Sequence, residues 1–108
     1  MSLDLYLHCR CCGSRVCEIN ATHNLTKMAA EALLYRPLWR PDESGIENAA
    51  DLIPVLENGI ERMESDPAHF RTFNPENGWG DYDGFLSVLR LLLDGCRDHP
   101  SASVYASR

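Results

Sequence analysis

The chain has 108 residues, ten Lys and Arg against sixteen Asp and Glu, a formal charge of −6 and a 44% apolar content. That length fits one domain, and a chain of this size buries roughly 60–70% of its unfolded surface, enough for a core. Met1 to Asp4 lacks a basic-then-apolar leader and no apolar run approaches about 18–20 residues, so a cytoplasmic protein without a membrane span is expected. The acidic balance argues against direct nucleic-acid binding, which needs a basic face.

Leu3-Asp4-Leu5-Tyr6-Leu7-His8 alternates apolar and polar residues, the mark of a half-buried strand, and Arg15 to Asn20 does the same. The turn between them would make an antiparallel hairpin. It holds three of the five cysteines, Cys9, Cys11 and Cys12, with Cys17 shortly after and Cys96 far off; an odd count disfavours a secreted disulfide framework. Cys9-x-x-Cys12-Gly13 has the spacing of half a zinc knuckle, with Gly13 supplying the permissive backbone after the second thiol. A closed zinc site needs four ligands; Cys9, Cys12, Cys17 and His23 are the candidate set, with His8 and Cys11 in reserve. The alternatives are plain hairpin thiols or a redox dithiol. The redox reading fits less well, because a strand-like run rather than a helix follows the motif.

Thr22 reads as the N-cap of a first helix with apolar face Leu25, Met28, Ala29, Ala32 and Leu33, running to about Tyr35. Pro37 and Pro41 then imply a rigid loop carrying Trp39 and Arg40. Ile46, Ala49, Ala50, Ile53, Leu56, Ile60 and Met63 mark a second helical face. Pro54 within it implies either a new start capped by Asp51 or a kink. A short helical piece is expected at 68–73, then a turn-rich loop over 74–80. A third helix starts at Asp81 or Asp83, with Phe85, Val88, Leu89, Leu92 and Cys96 inward. Ala102 to Ala106 alternates as a last strand. The order β-β-α-α-α-β implies an α+β fold in which a three-stranded antiparallel sheet carries helices on one face.

Polar residues gather where these segments would converge: Asn20, Thr22, His23 and Asn24 at the first helix, and Trp39, Arg40, Asn74, Asn77, Trp79 and Tyr82 from the loops. A helix start offers free N–H groups, and with an Arg and an indole the set suits a small anionic ligand. His23 and Trp79 are expected to meet at one solvent-reachable hollow beside that start. The competing reading gives these residues packing and capping roles. Glu57, Glu61 and Glu64 read as a solvated face, and Asp81-Tyr82-Asp83-Gly84 lacks the ligand alternation of a calcium loop. No phosphate-binding glycine loop, H-E-x-x-H or nucleophile elbow is present.

Asn20-Ala21-Thr22-His23-Asn24, Asn77-Gly78-Trp79-Gly80-Asp81-Tyr82 and the terminal Ser107-Arg108 are similar, in order and spacing, to motifs of a group of small uncharacterised proteins of phages, prophages and bacteria. Members of that group read N-[IV]-T-H-N, N-G-W-G-x-Y and S-R; Ala21 stands where Ile or Val is usual. The resemblance singles out Asn20, Thr22, His23, Asn24, Asn77, Trp79 and Tyr82 and brings no established activity. It implies a non-catalytic accessory protein that binds a host protein or a small anionic ligand, for instance as an inhibitor of a defence system. The alternatives are a zinc-dependent hydrolase built on His23 and the Cys hairpin, and a purely structural, oligomer-forming protein.

Overall fold

A computed structural model describes residues 2–75, 78 and 80–107. Strands β1 (Ser2–His8) and β2 (Arg15–Thr22) form the expected hairpin, and β3 (Ser103–Ser107) returns to the other edge of β1, giving the antiparallel order β2-β1-β3. Alternation sets the two faces. Leu3, Leu5 and Leu7 are wholly buried, while Asp4, Tyr6 and His8 point away from the helices. A bulge between Leu7 and His8, where Leu7 pairs with Cys17 but His8 with Arg15, bends the hairpin near its turn. The fold is α+β: a three-stranded antiparallel sheet accompanied by five helices among the described residues.

Two expectations for the helices need correction. The first helix does not reach Tyr35. A single 3₁₀ turn (His23–Leu25) leads into α1 (Thr26–Glu31), which stops at Leu33 in a left-handed conformation, φ 61°. Leu34 N–H donates to the Ala29 carbonyl at 2.7 Å and Leu33 N–H to that of Ala30 at 3.1 Å, the Schellman pattern that ends a helix. The reversal turns Leu33 outward and buries Leu34, so Leu34 rather than Leu33 joins the core. The proline segment is not a loop: α2 (Tyr35–Trp39) holds Pro37 in its first turn, where no N–H is missed, and Pro41 opens a further 3₁₀ turn.

Helix α3 (Ala49–Ser65) starts at Asn48, not Asp51. Asn48 Oδ1 accepts the Asp51 N–H at 3.3 Å, and Asp51 Oδ2 accepts the Asn48 N–H at 3.2 Å, a reciprocal capping box. Pro54 lies in the second turn without ending the helix; it is on the exposed side, where water can satisfy the carbonyl left without its donor. The short α4 (Pro67–Arg71) follows. Asp81 caps α5 (Tyr82–Asp98) by accepting the Gly84 N–H at 2.6 Å. Phe85, Leu89, Leu92 and Cys96 are buried as the periodicity requires, and α5 lies against both α3 and β2. No helix is long and apolar enough to cross a membrane among the described residues.

Candidate functional site

The chain leaves β2 at Thr22, whose hydroxyl accepts the backbone N–H of Asn24 at 3.3 Å and its side-chain amide at 3.1 Å. This local turn, the cap expected from the sequence, sets His23 beside the start of α1. The imidazole tilts against the indole of Trp39 with ring centroids 6.4 Å apart, and its Nε2 is buried without a hydrogen-bond partner among the described residues.

Here a cavity of about 500 Å³ opens between two chain segments. His23, Asn24, Thr26 and Lys27 line one side; Thr72, Phe73, Asn74 and Pro75, from the turn after α4, line the other. The Asn74 side-chain oxygen accepts the Tyr82 N–H at 2.8 Å, which fixes the orientation of the amide. Lys27 forms no ion pair among the described residues, whereas Arg15, Arg40, Arg71, Arg90 and Arg97 each face a carboxylate. None of the described lining residues is acidic. A second hollow of about 290 Å³, lined by Asn20, Thr22, Leu25, Gly80, Asp81 and the first turns of α5, lies on the other flank of the same segment.

The proposed residues therefore divide. His23 and Asn24 line the larger cavity, and Asn20 and Thr22 the smaller. Asn20 is also committed to the outer sheet face, where its amide donates to Asp4 Oδ1 at 2.7 Å and Ser2 Oγ at 3.1 Å. Trp39 is only 2% exposed and stacks on Tyr35 at 5.7 Å, so it is a core ring and not a platform for a ligand. Arg40 is turned to Glu43 at 3.5 Å. Tyr82 is 3% exposed; its hydroxyl donates to the Met63 carbonyl at 2.7 Å and ties α5 to the end of α3. Asn77 and Trp79, and with them the expected meeting of His23 and Trp79, lie outside the described residues. The helix-start argument also weakens, because α1 has only six residues and its dipole is correspondingly small.

The four-ligand metal set does not assemble. Cys9 and Cys12 precede β2 and His23 follows it, and an eight-residue strand separates its ends by about 23 Å. Cys17 faces the helical layer: a methyl group at Gly95 of α5 would stand 2.7 Å from its sulfur. Burial pushes the Cys17 thiol up, and that of Cys96 up to about 12. No three His, Cys, Asp or Glu side chains gather in one place among the described residues. His23 therefore does not gather with Cys9 and Cys12 into a metal-holding group among the described residues.

Of these lining residues the sequence pointed to His23, Asn24 and Asn74, and not to Thr26, Lys27 or Thr72. Lys27 follows His23 by four positions, a spacing that brings side chains onto one helical face and could have flagged it; Thr72 carried no such signal. Comparison with family profiles, with curated proteins and with solved structures finds no match to this chain.

Proposed function

We propose that the protein is a non-catalytic binding module for a small anionic ligand, bearing phosphate or carboxylate groups, held in the cavity between His23–Lys27 and Thr72–Pro75. The observation that carries this reading is local charge. In a chain of formal charge −6, this cavity's described lining contains Lys27 and His23 and no carboxylate. Thr26, Asn74 and Lys27 supply hydroxyl, amide and ammonium donors, the groups that recognise an oxyanion. The likeness to small phage proteins supports an accessory role in which such a ligand of the host is held without being transformed.

The test is calorimetric titration with pyrophosphate and, separately, citrate. Binding of at least one is expected. Lys27→Glu should weaken it about tenfold or more, since a charge-assisted hydrogen bond is replaced by repulsion. Arg36→Glu, a cation outside the cavity, should leave it unchanged. No binding of either anion, or equal binding by Lys27→Glu, overturns the reading.

A further inference from the structure

The hairpin turn at the opposite end of β2 holds chemistry that the cavity does not use. Cys9 N–H donates to the Ser14 carbonyl at 2.8 Å, and Gly13 N–H returns to the Cys9 carbonyl at 2.7 Å, closing the C-x-x-C segment into one tight turn. Gly13 sits at φ +73°, a conformation that a side chain would strain. The Cys12 thiol donates to Ser14 Oγ at 3.3 Å.

Two thiolates make half of the tetrahedral set that a structural zinc ion requires. Among the described residues no third His, Cys, Asp or Glu joins them in a metal-holding group. Cys17 and Cys96 are packed between sheet and α5, and His8 lies with its ring against Tyr6 and Tyr105, at 6.0 and 6.4 Å. The turn itself is open. Cys11, Cys12, Gly13 and Ser14 are exposed, and nothing lies within 4 Å of a carbon placed on Gly13. Residues 9–16 contain Arg10 and no carboxylate, which suits the net negative charge of a zinc ion held by four thiolates, while Arg15 is turned to Glu18 at 3.3 Å.

We propose that Cys9 and Cys12 form a zinc half-site completed by the same two cysteines of a second copy, so that one ion joins two chains through their hairpin turns. A two-fold axis through the metal makes the contact self-complementary and closed, and Cys11 stays outside the coordination sphere. The site is independent of the anion cavity, so either can fail without the other.

The experiment is titration of reduced, chelator-treated protein with Zn²⁺, and with Co²⁺ as its spectroscopic substitute, while light scattering reports the mass. One metal per two chains, a dimer that EDTA dissociates, and cobalt bands of a tetrahedral thiolate site are expected. Cys12→Ser and Cys9→Ser should each lose metal and dimer together, with unchanged far-ultraviolet circular dichroism showing that the fold persists, whereas Cys11→Ser should keep both. One zinc per monomer, no zinc uptake, or a dimer that persists in both Cys9→Ser and Cys12→Ser would overturn the proposal.

Discussion

Leu33 is the residue whose chemistry and conformation disagree most. Its φ of 61° costs a branched-chain L-residue roughly 1–2 kcal/mol, and its side chain is 56% exposed, so little packing offsets that cost. Replacement by Gly should raise stability by about 1 kcal/mol, read as a higher urea midpoint with an unchanged slope. A lower midpoint would mean that the Leu33 side chain makes contacts that outweigh the backbone strain. Apolar periodicity alone assigned Leu33 to the core, because spacing by three and four cannot reveal where a chain without a terminal glycine turns left-handed. Tyr82 and Trp39 misled for a related reason. Polar-tipped aromatics look the same in sequence whether the tip meets a ligand or, as for Tyr82, a carbonyl at the end of another helix.

Element by element, the strands and α5 were legible because each keeps one uninterrupted period. The bounds of α1 to α3 were not, since they depend on local competition among capping groups. At α3, Asp51 looked like the cap but serves as the third residue of a box headed by Asn48. Its carboxylate accepts N–H bonds from Glu47 at 3.0 Å and Asn48 at 3.2 Å, and these hold its pKa below the usual carboxylate value. Because the folded-state pKa is depressed, this stabilisation is fully present above the unfolded value near pH ~4 and is lost as pH falls through the folded value. Asp51→Asn should therefore lower the melting temperature at pH 7 and shrink the difference from wild type in acid; a constant difference across pH would contradict that role. Packing between helices turns on a smaller residue. A Cβ at Gly59 would stand 2.6 Å from the Leu34 side chain, which the Schellman turn has placed there. Gly59→Ala gains about 1 kcal/mol in helix propensity but should lose about 1–3 kcal/mol to overpacking, a net fall in thermal midpoint. A net rise would show that Leu34 has room to move.

Taken as a whole, the molecule separates its charges. Glu57–Arg97 at 3.3 Å and Glu64–Arg90 at 2.6 Å link α3 to α5 on an exposed face, where such pairs contribute little to stability. The acidic run read in the sequence is thus partly paired rather than simply solvated. Lys27, by contrast, sits unpaired among the described residues beside His23, at a cavity that only the folded chain assembles from positions 23–27 and 72–75. The first of these segments was visible as a polar cluster; of the second only Asn74 stood out, because Thr72 and Phe73 acquire meaning only through contact with the first. Amide chemical shifts recorded during a pyrophosphate titration at low ionic strength decide whether that cavity is where an anion is held. Saturable shifts concentrated at 23–27 and 72–75, weakened by added salt and lost in Lys27→Glu, are expected. Shifts centred on Arg36, Arg62 or another surface, or none within the two segments, would contradict the assignment.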